Sequence, residues 1–118
     1  YGGYAVNAVL AAYPGEFVAG VSLYGVADWV TALQVASPAL KASDLIEYGD
    51  IDDPKWRAFY ERISPIRQAD RIRVPVLMAY GRNDPRVTID QGYDIERALK
   101  RNNRPYTFIV EKEEGHGF

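Results

Sequence analysis

Three short apolar runs, separated by segments with helical spacing, constrain this fold more than any other feature of the sequence. The runs are FVAGVSLYG at 17–25, VPVLMAYG at 74–81 and PYTFIVE at 105–111. The first two are apolar on both faces and end in glycine, which is typical of strands buried on both sides of a sheet. Strands that alternate with helices at this spacing predict an α/β fold of parallel strands joined by crossover helices.

Helical spacing is found in four segments, at 2–13, 26–34, 53–63 and 88–103. Asp53 and Pro54 fit the N-cap and the first position of the third helix. The sequence between the second and third helices is punctuated by Pro, Gly and Asp, so we interpret it as irregular. Residues 26–60 as a whole are expected to form an excursion over the end of the sheet.

Charge and composition exclude several classes of function. The formal net charge is −2, which offers no electrostatic attraction to nucleic acid or an anionic membrane. Cysteine is absent and His116 is the single histidine, so neither a disulfide framework nor a structural metal site is expected. The absence of cysteine fits a cytoplasmic location, and no apolar run reaches the ~20 residues that span a bilayer.

Two chemically active residues follow predicted strands directly. Asp84 lies in the turn GRNDPRV after the second strand, and His116 lies in EGHGF after the third. Chemistry in open parallel sheets gathers at the carboxyl ends of the strands. Each residue alone has an ordinary explanation, since Asp before Pro often forms a turn and a loop histidine is often plain surface. Together they predict an acid–base pair in which Asp84 orients His116.

The opening YGGYAV matches the second half of a nucleophile elbow at the start of a helix. With a Ser immediately before Tyr1, the string would complete the elbow. Tyr1 would then supply a backbone N–H to an oxyanion hole, and Gly2 would be the glycine that the tight turn requires. The resulting order Ser, Asp, His is that of α/β-hydrolases.

These motifs together resemble the prolyl oligopeptidase family, in particular its dipeptidyl-aminopeptidase and acylaminoacyl-peptidase branch. The resemblance covers YGGYAVNAVLAAYP, FVAGVSLYGVADWVT, RISPIRQADRIRVPVLMAYGRNDPRV and EEGHGF. It implies that residues 1–118 are the C-terminal segment of an α/β-hydrolase catalytic domain, truncated after the nucleophile elbow. It also implies Asp84 as triad acid, His116 as triad base and Tyr1 as oxyanion donor, with no metal or organic cofactor.

The resemblance further implies roles in substrate binding. Val87 stands where the family has an apolar wall of the pocket for the side chain before the scissile bond. Arg86 stands where some members hold a substrate carbonyl, and Tyr48 aligns with a pocket aromatic. Trp29 and Trp56 are expected to fill core or cover. Tyr80, which stands where many members carry His, is expected to affect packing rather than chemistry.

The sequence therefore predicts a parent serine hydrolase that cleaves peptide bonds by acyl transfer. None of its four serines, Ser22, Ser37, Ser43 and Ser64, lies in an elbow, so the chain alone is expected to be inactive. Its expected partners are a peptide or ester substrate and the remainder of the catalytic domain, and self-association stays open. A carboxylesterase and a non-catalytic hydrolase-like binding module remain alternatives. A flavodoxin-like domain would need a phosphate-cradling glycine loop, which we do not find.

Overall fold

A computed structural model describes residues 1–118 as an α/β unit whose helices and strands alternate. The strands are β1 (Gly20–Leu23), β2 (Val76–Gly81) and β3 (Tyr106–Glu111). The α-helices are α1 (Gly2–Ala12), α2 (Trp29–Gln34), α3 (Pro38–Tyr48), α4 (Pro54–Ile63) and α5 (Ile89–Arg101), and a 3₁₀ segment covers Pro65–Arg71. No helix is long and apolar enough to cross a bilayer.

The sheet is fully parallel, with the strands in the order β1-β2-β3. Gly20 pairs with Val76, and Val76 pairs in turn with Tyr106, so the three strands run in register to a shared carboxyl edge. Every connection between paired strands contains at least one helix. The predicted α/β fold with crossover helices is therefore confirmed.

One face of the sheet carries the main core. Alternate residues of β2, which include Met78 and Tyr80, are buried there against α5, and Leu10 of α1 lies over Gly20 at the start of β1. Gly92 of α5 lets this helix approach the sheet, because a Cβ at that position would lie 2.7 Å from the Tyr80 ring. The face of the sheet that bears Met78 is thus covered by helices.

The expectation that β1 is buried on both faces is wrong for this chain. Val21 and Leu23 project from the opposite face and are 58% and 41% exposed, and Ile109 on β3 is 38% exposed. The helices α1 and α5 both lie on the first face, so no element of residues 1–118 covers these side chains. β1 is also shorter than predicted, at Gly20–Leu23 rather than 17–25.

Helix α3 corrects the interpretation of its segment as irregular. It begins with Ser37, whose side chain accepts a hydrogen bond from the Leu40 N–H, and Pro38 at its first position. None of its residues is buried, so it lacks the apolar stripe that reveals a helix in sequence. The predicted start of α4 is confirmed, since the Asp53 carboxylate accepts from the Lys55 N–H at 2.9 Å.

Candidate active site

The turn after β2 holds Asp84 in a fixed orientation. The side chain of Asp84 is fully buried, and its Oδ1 accepts hydrogen bonds from the N–H groups of Arg86 at 2.8 Å and Val87 at 2.9 Å. Aspartate forms such turns readily because its short side chain reaches backbone donors two and three residues ahead. The second carboxylate oxygen, Oδ2, is left to face the loop after β3.

The loop after β3 lies directly on the turn after β2. The Arg82 N–H donates to the Glu111 carbonyl and the Asn83 N–H to the Glu114 carbonyl, each at 3.0 Å. Gly81 permits this contact, because a Cβ there would lie 2.2 Å from the Gly115 carbonyl oxygen. These backbone contacts therefore position His116 at the carboxyl end of β2.

His116 and Asp84 meet at this edge. The imidazole Nδ1 lies 2.8 Å from Asp84 Oδ2, with the histidine side chain 34% exposed and the aspartate side chain fully buried. A carboxylate can only accept, so Nδ1 carries the proton and donates, and Nε2 remains free to take a proton. The structure thus brings together the two residues that the sequence predicted as an acid–base pair.

A cleft of about 370 Å³ opens beside His116. It lies between the start of α1 and the carboxyl end of β1, and its walls are mostly apolar. Tyr1, Trp29, Val87 and His116 all line it. The first turn of α1 and the imidazole therefore face one cleft, as a nucleophile at that turn would require.

Within residues 1–118, Gly3 is the glycine at the start of α1 whose packing leaves no room for a side chain. A Cβ at Gly3 would lie 2.4 Å from the Leu23 carbonyl oxygen, and a Cβ at Gly25 would lie 2.4 Å from the Gly3 carbonyl carbon. A Cβ at Gly2 would meet no atom within 4 Å. Backbone packing of Gly3 on Gly25 seats the start of α1 on the end of β1.

The three predicted substrate-binding residues occupy different positions. Val87 lines the cleft and packs against both apolar clusters of the molecule. Arg86 is exposed beside the cleft rather than lining it, and its guanidinium has no hydrogen-bond or ion-pair partner. The Tyr48 ring centroid lies 5.4 Å from that of Trp29, behind the cleft wall.

Tyr48 reaches the site through Tyr1. The two hydroxyl oxygens are 2.5 Å apart, and the Tyr1 hydroxyl also donates to the carboxylate of Glu47. The bond to Glu47 raises the pKa of Tyr1, and burial raises the pKa of Tyr48. Both phenols therefore stay protonated at neutral pH, and the end of α3 holds the side chain of Tyr1, the residue immediately before α1.

Trp29 is both core and cleft wall, whereas the sequence suggested core or cover alone. It is only 8% exposed, within a cluster that includes Val30 and Tyr60, yet it also lines the cleft. Its backbone N–H donates to the Ser64 hydroxyl at 2.9 Å. Trp56, by contrast, is 40% exposed and stacks on Tyr60 away from the cleft.

Gln91 is a supporting residue that no sequence motif indicated. It is 1% exposed, and its Oε1 accepts from the N–H groups of Ala27 at 3.0 Å and Asp28 at 2.8 Å. Its Nε2 donates to Thr31 Oγ1 at 2.8 Å. This amide ties the start of α5 to α2 and to the loop that precedes it. No sequence pattern distinguished it from a surface glutamine.

Tyr80 also stabilises the loop between β1 and α2, and it does not line the cleft. It is fully buried, and its hydroxyl donates to the Gly25 carbonyl at 2.6 Å. Burial raises its pKa above the ordinary value of 10.0. Its contacts are those of a packing residue, as predicted from the sequence.

The parallel sheet, the crossover helices and the acid–base pair at the carboxyl edge define an α/β-hydrolase segment. The chain belongs to the prolyl oligopeptidase family, whose model matches residues 1–118. No group of three or more His, Cys, Asp or Glu side chains that could hold a metal occurs in it.

Curated relatives include peptidases that are much longer than this chain. The chain is 34% identical to dipeptidyl aminopeptidase BIII of Pseudoxanthomonas mexicana, over 100% of its own length and 18% of that protein. It is 32% identical to dipeptidyl peptidase family member 6 of Caenorhabditis elegans, over 99% of its length and 16% of that protein. The chain thus spans about a sixth of the length of these relatives.

The similar solved structures are also peptidases much longer than this chain. The puromycin-hydrolyzing peptidase of Mycobacterium tuberculosis matches with a TM-score of 0.86 and 29% identity, over 98% of this chain and 17% of that one. The acylaminoacyl peptidase of Pyrococcus horikoshii matches with a TM-score of 0.87 and 28% identity, over 99% and 18%. The predicted family and the predicted α/β-hydrolase fold are both confirmed.

Proposed function

We propose that the whole protein is a serine peptidase that cleaves peptide bonds by acyl transfer. The single observation that carries this proposal is the 2.8 Å contact between His116 Nδ1 and the buried Asp84 carboxylate, at the rim of an apolar cleft. In this role His116 Nε2 removes the proton of a serine hydroxyl while Asp84 orients the ring and stabilises the imidazolium. His116 then returns the proton to the leaving amine.

The nucleophile in this proposal is a serine immediately before Tyr1. The serines of the chain are otherwise engaged: Ser22 Oγ donates to the Gly3 carbonyl, Ser64 Oγ donates to the Tyr60 carbonyl, and Ser37 caps α3. Ser43 is exposed on α3 and does not line the cleft. The start of α1 is the part of the cleft wall from which an elbow serine would face His116. Residues 1–118 alone would then be inactive as a C-terminal segment of the catalytic domain.

Oxyanion stabilisation is assigned to the backbone N–H of Tyr1. This group lies at the N-terminus of α1, where the helix dipole favours developing negative charge. The hydrogen bonds of the Tyr1 hydroxyl to Glu47 and Tyr48 restrain the residue from the side-chain end. Tyr48 would accordingly act through its contacts with Tyr1 and Trp29, which both line the cleft.

Substrate binding is divided between Val87 and Arg86. Val87 contributes an apolar surface beside the imidazole, suited to the side chain that precedes the scissile bond. The unpaired guanidinium of Arg86 can hold a substrate carbonyl with its planar set of donors. The proposal needs no metal or organic cofactor, since proton transfer and oxyanion stabilisation are supplied by side chains and backbone.

Hydrolysis assays on the whole protein test this proposal. We expect cleavage of peptide anilides that carry one or two residues before the scissile bond, and a loss of at least about a hundredfold in kcat for His116→Ala. Glu113→Gln changes an exposed residue of the same loop and should keep kcat within about twofold. Activity on simple esters without activity on anilides would favour a carboxylesterase, and no hydrolysis of either would favour a binding module.

A further inference from the structure

Tyr24, at the carboxyl end of β1, has an unusual backbone conformation. Its φ is +40°, and the only other non-glycine residue with a positive φ is Asn103 at +55°. Asparagine adopts this region readily, but a bulky aromatic residue there is a genuine outlier. Such conformations persist when neighbouring structure imposes them, and they gather at functional sites.

Three contacts impose this conformation. The Tyr24 N–H donates to the Ala79 carbonyl at 2.8 Å, and the Tyr80 hydroxyl donates to the carbonyl of the next residue, Gly25, at 2.6 Å. Gly25 in turn packs on the backbone of Gly3, where a Cβ would lie 2.4 Å away. The backbone on both sides of the Tyr24 side chain is therefore fixed by β2 and α1.

The strained backbone turns the Tyr24 ring toward His116. The two ring centroids are 4.6 Å apart with an interplanar angle of 52°, and Phe118 meets the same tyrosine ring edge-on at 5.5 Å. Both Tyr24 and His116 line the cleft. The hydrogen bond from Nδ1 to Asp84 holds one edge of the imidazole. The Tyr24 ring packs against the imidazole itself and limits its movement on that side.

We propose that Tyr24 is a positioning residue for His116, held in a strained conformation so that its ring restrains the imidazole and favours its cationic form during catalysis. This inference rests on the proposed function of His116 as general base. An aromatic face attracts a cation placed over it, so the contact strengthens when the imidazolium forms. This attraction therefore stabilises the transition state more than the bound substrate. Loss of the Tyr24 ring should lower kcat and leave KM nearly unchanged.

Substitutions at position 24 separate the ring from the backbone strain. Tyr24→Phe keeps the ring and should keep kcat within about twofold. Tyr24→Leu keeps a branched side chain at the same φ but removes the ring, and should lower kcat about tenfold with KM within about twofold. Tyr24→Gly removes both ring and strain, so it should lose the same activity while its melting temperature stays within a few degrees of wild type.

Two further variants complete the experiment on the whole protein, with a peptide anilide as substrate. Asn103→Gly relaxes the other positive-φ residue, which does not line the cleft, and should leave kcat unchanged. His116→Ala reports on the proposed function itself.

Wild-type kcat in Tyr24→Leu and Tyr24→Gly, with an inactive His116→Ala, would overturn the inference about Tyr24 alone. A Tyr24→Phe variant as slow as Tyr24→Leu would also overturn it, because the hydroxyl would then matter rather than the ring. An active His116→Ala would overturn the proposed function and this inference together.

Discussion

Gly81 and Gly115 lie backbone against backbone, and this contact joins the two loops that carry the acid–base pair. A Cβ at Gly81 would lie 2.2 Å from the Gly115 carbonyl oxygen and 2.5 Å from that of Glu114. Both carbonyl oxygens are main-chain atoms, so a side-chain rotation could not remove the clashes with a Cβ at position 81. The distance between Asp84 and His116 is therefore set by the absence of a side chain at position 81.

Gly81→Ala should displace the histidine loop. We expect a loss of about 1–3 kcal/mol in the free energy of unfolding, as for other overpacked sites, together with a loss of kcat of at least about tenfold. Urea unfolding and peptide hydrolysis measure the two effects. Gly115→Ala is the matched control, because its Cβ would meet Asn83 O only at 3.8 Å and should be tolerated. Equal behaviour of the two variants would contradict the packing explanation.

Replacements of Asp84 should separate its two roles. Asp84→Asn keeps an oxygen for the N–H groups of Arg86 and Val87, so we expect a folded protein whose kcat falls about a hundredfold or more. Asp84→Ala also leaves both N–H groups without an acceptor and should cost about 1–3 kcal/mol of stability in addition. Kinetics and urea unfolding on the same samples test this. A fully active Asp84→Asn would remove Asp84 from the mechanism.

The placement of Asp84 and His116 could be predicted from the sequence, because it follows from topology alone. Neighbouring parallel strands deliver their carboxyl ends to one edge, and both residues come shortly after such strands. The alternation of helices and strands along the chain followed from the apolar runs and the helical spacing between them. No atomic detail was needed for either conclusion. That β2 and β3 are neighbours in the sheet was an assumption of the sequence analysis, and the structure shows it.

Helix α3 and the Tyr24 contact could not be predicted, for different physical reasons. α3 buries no residue, so its sequence lacks a periodic apolar face. Ser37 and Pro38 do form a recognisable N-terminal helix signal, an N-cap residue followed by proline at the first helical position. The Tyr24 ring reaches His116 only because φ is +40°, which regular strand alternation does not anticipate. The burial predicted for β1 was wrong because an apolar pattern says nothing about which elements lie close enough to cover it.

Gln91→Leu should destabilise the loop that precedes α2. The leucine fits the volume but leaves the N–H groups of Ala27 and Asp28 without an acceptor, at a cost of about 2–4 kcal/mol in the free energy of unfolding. Gln34→Leu is the control, since Gln34 is exposed and makes no side-chain hydrogen bond, and it should change stability by less than about 0.5 kcal/mol. A neutral Gln91→Leu would show that this amide has no structural role.

Tyr80 should make stability fall at alkaline pH. Burial raises its pKa in the folded state above 10.0, so above that pH the unfolded chain releases this proton while the folded chain keeps it. The stabilisation is fully present below about pH 10 and is lost as pH rises further, at about 1.4 kcal/mol per pH unit. Tyr80→Phe should lack this component, which urea unfolding from about pH 9 to about pH 11 measures. Parallel pH profiles for the two proteins would contradict the assignment.

The central claim is that Asp84 and His116 activate a serine that lies immediately before Tyr1. The most direct measurement is covalent labelling of the whole protein with a fluorophosphonate probe, followed by peptide mapping of the modified residue. We predict one label, on the serine that directly precedes Tyr1, and no label in His116→Ala. Undiminished labelling of His116→Ala, or a label on any other residue, would contradict the claim.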